Sequence, residues 1–277
     1  MRVDLIDQLR VTWASVADLC SSLTAAEWRA PTDCPGWDVR AQVAHLVGTE
    51  SMLAGRPTPA VDGPYGAHVH NDIAKFNEAA IESFAAVSDT GLLAAFSAIT
   101  AERLAALSSL DEQGWEAMGP TPIGQAPYRR FMEIRVFDSW VHEQDIRFAT
   151  GRPGHRSGPA AERCVDEAVG ALGFLVGKRA QAPEGSHVRF SLAGSPVPSA
   201  GPTTQRDVDV VVDGRARVVP AASAGTPTAT VHTDAITFVR LGCGRITAGA
   251  ALADGTVTLS GDAELGERVV ANLTFTM

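Results

Sequence analysis

The stretch Phe131-Met-Glu-Ile-Arg-Val-Phe-Asp-Ser-Trp-Val-His-Glu-Gln-Asp-Ile-Arg147 organises the reading of this chain. No Gly or Pro interrupts it. Apolar residues recur at helical spacing (Phe131, Ile134, Phe137 or Val141, Ile146), which predicts one helix. Asp138 and His142 are four apart and Asp145 follows three later, so the three side chains share a face of that helix. A carboxylate, an imidazole and a carboxylate beside apolar residues form a metal-site geometry that needs at least one ligand from another helix. The competing reading is a solvated polar stripe, in which the Asp–His pair is worth roughly a few tenths of a kcal/mol.

Upstream, Leu5, Leu9, Trp13, Val16 and Leu19 predict a first helix over 5–23. Thr24-Ala-Ala-Glu27 is a capping-box pattern opening a short helix that ends near Arg29. Pro31 to Gly36 reads as a loop leaving through Cys34-Pro-Gly-Trp37. A second helix is expected from about Asp38, its N-cap or first-turn acid, to Ala54. Its core stripe is Val39, Val43, Leu46, Val47 and Leu53. His45 lies mid-helix, sharing its face with Ala41, Gln42, Gly48, Thr49 and Met52, small residues that would leave room for a ligand. It is either that missing metal ligand or a core histidine bonded to a backbone or carboxylate group.

Residues 55–71 form a long Gly- and Pro-rich loop carrying His68 and His70, which are spare metal ligands or surface residues. Helices are expected over 72–87 and 91–110, and a second loop over 111–127. Residues 1–152 thus read as an antiparallel helical bundle of four main helices plus a short one. Thr150-Gly-Arg-Pro-Gly-His-Arg-Ser-Gly-Pro159 is the boundary. Beyond it, residues 158–277 read as a smaller α+β domain with a mostly antiparallel sheet. A helix spans 160–181, strands alternate at 187–192, 208–212, 216–219, 229–232 and 256–260, and Asp213-Gly214 signals a hairpin. Residues 233–242 look helical, and Asp262 caps a closing helix to about Leu273.

The chain has 277 residues and a net charge of −9, with the acid excess almost wholly in residues 1–155. That balance argues against nucleic-acid or anionic-membrane partners. No apolar run approaches a membrane span, and the acidic start is unlike a signal peptide. Cys20, Cys34, Cys164 and Cys243 fit neither a zinc ribbon nor a disulfide framework. A cytoplasmic protein with reduced thiols is the expectation. Cys34 fits a reactive thiol or, better, a structural turn. No phosphate loop or nucleophile elbow occurs; Gly242-Cys-Gly244 lacks the strand-then-helix setting of a dinucleotide fingerprint.

Cys34-Pro-Gly-Trp-Asp-Val-Arg-Ala-Gln-Val-Ala-His-Leu-Val-Gly48 resembles the helix-two signature of mycothiol-dependent maleylpyruvate isomerases. Asp138-Ser-Trp-Val-His-Glu-Gln-Asp145, followed by Ala149-Thr-Gly-Arg-Pro153, resembles their helix-four signature. Asp234 to Leu241, Gly244-Arg245 and Gly261-Asp-Ala-Glu-Leu-Gly266 resemble their C-terminal domain. The resemblance implies a DinB-like bundle joined to a sterol-carrier-like domain. It implies a divalent metal, zinc by preference with nickel or iron as alternatives, on His45, Asp138 and His142. The family commonly has Glu where this chain has Asp138, which shortens that arm by one methylene. Mycothiol as cosubstrate is implied, with either maleylpyruvate-type isomerisation or thiol S-transfer as the reaction. Asp145 would orient a ligand or take a proton, or be a helix-face acid near Arg147. Arg240 and Arg245 would hold a dicarboxylate or stand on the surface of a helix end. The rival reading is a non-catalytic small-ligand or lipid-binding protein with a structural metal site. The oligomeric state, monomer or homodimer, is left open.

Overall fold

The computed structural model describes residues 2–57, 59–60, 63–194, 206–220 and 225–276. The chain divides into two compact units, Met1–Pro153 and Gly154–Met277.

In the first unit four long helices carry the core: α1 (Arg2–Ser21), α2 (Val39–Leu53), α4 (Asp89–Ser109) and α6 (Tyr128–Thr150). A shorter α3 (Asp72–Glu82) lies against α2. Helix α1 packs on α4 and α6, and α2 on α4 and α6, so each long helix has at least two neighbours. The stripe Leu5, Leu9, Trp13, Val16 and Leu19 is buried on α1, and Val39, Val43, Leu46 and Val47 on α2; Leu53, at the end of α2, is only half-buried. Burying such side chains is the main favourable term in folding.

The helix starts follow local chemistry. Asp38 caps α2 by accepting from the Ala41 N–H, and Ser88 caps α4 at Gly91. Thr24 and Glu27 bond reciprocally, side chain to backbone, before a 3-10 turn (Glu27–Arg29). A methyl added to Gly48 would stand 2.5 Å from the Cβ of Ala80, so that glycine lets α2 and α3 touch.

Two expectations need correction here. Residues 111–127 are not a loop: a short helix α5 (Glu112–Glu116) precedes a hairpin of β1 (Met118–Thr121) and β2 (Gly124–Pro127). Helix α4 is also long and apolar enough, by length and composition, to cross a membrane. In this fold Leu92, Phe96, Ile99, Arg103 and Leu107 form its buried stripe against α1 and α2, with an ionised residue in the middle.

The second unit opens with α7 (Pro159–Phe174), which ends in a π-helical turn (Leu175–Arg179). The strands are β3 (His187–Ala193), β4 (Arg206–Asp213), β5 (Arg215–Val219), β6 (Ala229–Asp234) and β7 (Thr258–Gly261). Their order is β5-β4-β3-β6-β7. Among the described strands β3 and β6 pair in parallel and the other neighbours are antiparallel. The Asp213-Gly214 turn is present, with Gly214 at φ +65°. Val188, Phe190 and Leu192 alternate onto the buried face of β3, and Phe190 meets Phe238 of α8 (Ala235–Gly242) at 5.7 Å. Residues 233–234 belong to β6 rather than to the helix, because Asp234 caps α8. The six-residue α9 (Ala248–Ala253) has no stripe by which to read it; α10 (Ala263–Ala271), capped by Asp262, closes the unit.

Candidate metal centre

His45 comes from the middle of α2, and Asp138 and His142 from successive turns of α6. One ligand atom from each lies within 4.8 Å of the others. His45 Nε2 stands 3.2 Å from Asp138 Oδ2 and 3.4 Å from Oδ1, and His142 Nε2 3.6 Å from Oδ1. Both histidines are buried, while Asp138 keeps partial access to solvent. The Trp37 ring lies against both imidazoles, with centroids 5.1 Å from His45 and 5.6 Å from His142. Gly36 enters that turn at φ +82°, and a Cβ there would stand 2.6 Å from the ring of His68, so the approach requires glycine twice over.

Asp145 is buried, and its Oδ2 lies 3.3 Å from His142 Nδ1, within ion-pair reach though poorly aligned for a hydrogen bond. Arg147 is engaged elsewhere, donating to Glu143 at 2.8 Å and to Ser15 at 2.9 Å. His68 is half-buried with its Nε2 on Glu78 Oε1 at 3.0 Å, and His70 is exposed. Among the described residues, neither is in the cluster. Arg245 belongs to the second unit, where its Nη1 donates to Cys243 O at 3.0 Å beyond the end of α8. Arg240 lies in the last turn of α8.

The space beside His45 differs from the expectation. At Gly48 it is filled by Ala80 of α3. A cavity of about 370 Å³ borders the same glycine and is lined further along by Ser51, Met52, Phe76 and Phe84.

A set of residues not singled out from sequence stands behind Asp138. Arg135 Nη1 donates to Asp138 Oδ2 at 2.6 Å, and its Nε to Glu50 Oε1 at 2.8 Å. Arg103 Nε donates to the other oxygen of Glu50 at 3.0 Å and its Nη2 to the Tyr128 hydroxyl at 2.6 Å. Glu50 is fully buried, and Arg103 and Arg135 nearly so. The signal was available: Glu50 lies three residues after Val47 on the α2 stripe, and Arg103 four after Ile99 on α4. A charge in the middle of an apolar stripe is buried with its helix and requires a partner.

The carboxylate is held ionised, and the two histidines shift in opposite directions. Burial, the largest influence, draws the His45 pKa below the ordinary imidazole value against the pull of Asp138. Burial acts the same way on His142 but is outweighed by Asp138 and Asp145, and its pKa is raised. For Asp138 burial pushes upward, and Arg135, then His45 and His142, overcome it; the carboxyl is held well below its usual range. An ionised carboxylate between two imidazoles is a donor set for zinc, iron or nickel.

Residues 9–147, half of the chain, match the family model described as the mycothiol maleylpyruvate isomerase N-terminal domain. Two crystal structures of a mycothiol-dependent maleylpyruvate isomerase, one of them a histidine-to-alanine mutant, are similar in fold. Their TM-scores are 0.54 and 0.55 (the latter the mutant), at 16% and 17% identity. Each alignment covers 94% of this chain and 93% of the other. No curated protein matches the chain.

Proposed function

Because this chain belongs to the mycothiol maleylpyruvate isomerase family, we propose that it is a thiol-dependent enzyme holding a divalent cation on His45, Asp138 and His142. Zinc fits this set best, with nickel and iron as alternatives, and mycothiol is the cosubstrate. The reaction is isomerisation of a maleylpyruvate-type double bond or transfer of the thiol. The carrying observation is the convergence of two buried imidazole Nε2 atoms, from different helices, on one carboxylate.

The residues fit the cation. Three protein ligands leave a tetrahedral ion one position short, which is the pattern of a catalytic site rather than a closed structural one. When bound, the cation supplies the positive charge that stabilises a thiolate at neutral pH. The chain's own residues supply the rest. Asp145 stands on the Nδ1 side of His142, which favours the tautomer with the Nε2 lone pair facing Asp138. Trp37 covers both imidazoles and excludes water from their side. For an isomerase, the thiolate sulfur bonds to one carbon of the double bond while the π pair moves onto the conjugated carbonyl as an enolate. The resulting single bond rotates, and the enolate pair re-forms the double bond as the thiolate leaves.

We read the first unit as a DinB-like antiparallel four-helix bundle and the second as a sterol-carrier-like domain. The four long helices and the five-stranded sheet support that reading.

The test is turnover of maleylpyruvate by metal-loaded protein with mycothiol and, separately, with glutathione. Mycothiol-dependent conversion that disappears in His142→Ala is the expected result. Metal-loaded protein that converts no substrate, and whose cobalt form shows no sulfur-to-metal band with millimolar mycothiol, would move the weight to a non-catalytic ligand-binding protein.

A further inference from the structure

Asp138 is engaged on both oxygens. Its Oδ2 accepts from Arg135 Nη1 at 2.6 Å and also lies 3.2 Å from His45 Nε2, while its Oδ1 lies 3.4 Å from His45 Nε2 and 3.6 Å from His142 Nε2. Arg135 cannot swing away. It is 3% exposed, and its Nε is held by Glu50, which has no exposed surface at all. Glu50 is fixed in turn by Arg103, and Arg103 by Tyr128. An exposed Arg–Asp pair three residues apart on a helix contributes little. This one is the last link of a buried chain whose charges alternate: Arg103, Glu50, Arg135, Asp138.

We propose that Arg135 is a positioning residue that keeps Asp138 a one-oxygen ligand, and so keeps a coordination position open for the thiol. The inference rests on the metal reading above. A carboxylate with both oxygens free beside a divalent cation can chelate it and fill an extra position. Here chelation would break a charge-assisted hydrogen bond in a buried setting, where such bonds are strongest and most costly to lose. The four side chains are neutral in sum before a cation arrives: Glu50 offsets one of the two arginines, and a single positive charge remains to hold Asp138 in place. Outer partners of this kind orient metal ligands, and losing them typically costs about 10- to 100-fold in affinity or activity.

The experiment loads cobalt(II) into the wild type, Arg135→Met, Arg135→Lys and Glu50→Gln, and compares visible spectra and the mycothiol concentration that half-develops the sulfur-to-cobalt band. The wild type should show the intense bands of four-coordinate cobalt. Arg135→Met should show the weaker bands of a higher coordination number and require about tenfold more mycothiol. Lysine, with a single charged tip, cannot reach Glu50 and Asp138 together, so Arg135→Lys should shift in the same direction and carries the test if Arg135→Met does not fold. Glu50→Gln should shift likewise, by loosening Arg135. A folded Arg135→Met or Arg135→Lys with the wild-type spectrum and wild-type thiol midpoint overturns the proposal while leaving the metal site standing. Wild-type protein that takes up no cobalt removes the metal reading and this inference together.

Discussion

Trp37 donates its indole N–H to Glu78 Oε1 across 2.7 Å, and the same oxygen takes His68 Nε2 at 3.0 Å. One carboxylate on α3 therefore ties the turn before α2 to the loop that follows it, and Trp37 is the ring lying on both candidate ligand histidines. Glu78→Ala leaves a largely buried indole donor without its acceptor. The expected loss is about 1 kcal/mol of unfolding free energy, read by urea denaturation. A change in the intrinsic fluorescence of Trp37 should accompany it, with metal content unchanged. Identical stability and fluorescence would show that the Glu78 bond does not hold the ring in place.

The buried Arg103–Glu50–Arg135 link gives a larger effect. Glu50→Ala strands two buried guanidinium groups, and breaking such a pair from one side costs about 3–5 kcal/mol. Replacing all three charges together, as Glu50→Leu with Arg103→Met and Arg135→Met, should recover most of that loss, because the one charge that loses a partner, Asp138, keeps partial access to solvent and its two histidine neighbours. Denaturant midpoints of the single and triple variants check this. A triple variant as unstable as Glu50→Ala would mean that packing, not charge, sets the penalty.

The four thiols, none in a disulfide, should differ in reactivity. Cys20 is buried on α1, and its thiol is pushed up to about 12, first by burial and then by Glu143, against the smaller pull of Arg147. Cys164 and Cys243 are also buried, and Cys34 is half-buried. A thiol reagent at neutral pH should modify Cys34 first in native protein, and Cys20 only on unfolding. Fast labelling that survives Cys34→Ser would contradict this.

In the second unit Asp209 accepts from His187 Nε2 at 2.7 Å and from both Arg189 Nε at 2.8 Å and Nη2 at 3.0 Å. Burial raises its pKa, but the bonds from Arg189 and His187 outweigh it, and the net direction is down. A carboxyl lowered by folding stabilises the protein above its unfolded pKa, about 3.9, and loses that contribution as pH falls through the lower folded value. Asp209→Asn should therefore cost about 2 kcal/mol at neutral pH and a shrinking amount below about pH 4. Unfolding free energies measured from pH 3 to 7 check the sign. A penalty that grows toward low pH would refute it.

The legible part of this molecule is the part written in apolar periodicity. The α1 stripe could be read because its buried residues recur every three or four positions. Helices α2 and α6 are buried over most of their middle turns and could be read from their spaced large apolar residues and uninterrupted length, with Phe131 and Ile134 of α6 only half-buried. The hairpin 118–127 could not, since β1 alternates between exposed and half-buried positions and carries Pro120, and β2 buries a single alanine, Ala126. Helix α9 is built of Ala and Gly with one Leu and has no stripe. At the candidate site, helical spacing alone puts Asp138, His142 and Asp145 on one face, but it says nothing of the distance from α6 to α2 on which the approach of His45 depends. Glu50, Arg103 and Arg135 escape a hydrophobic count because a charged residue is ordinarily solvated. Their position on buried stripes is the clue, and apart from the Arg135–Asp138 pair within α6 their partners lie on other helices, where no local pattern reaches.

The most direct measurement is the metal content of protein purified without chelator, compared with His45→Ala, Asp138→Ala and His142→Ala. The account predicts about one divalent cation per chain in the wild type and its loss in each variant, all remaining folded by circular dichroism. Wild-type stoichiometry retained in His45→Ala and His142→Ala would place the metal elsewhere and contradict the account.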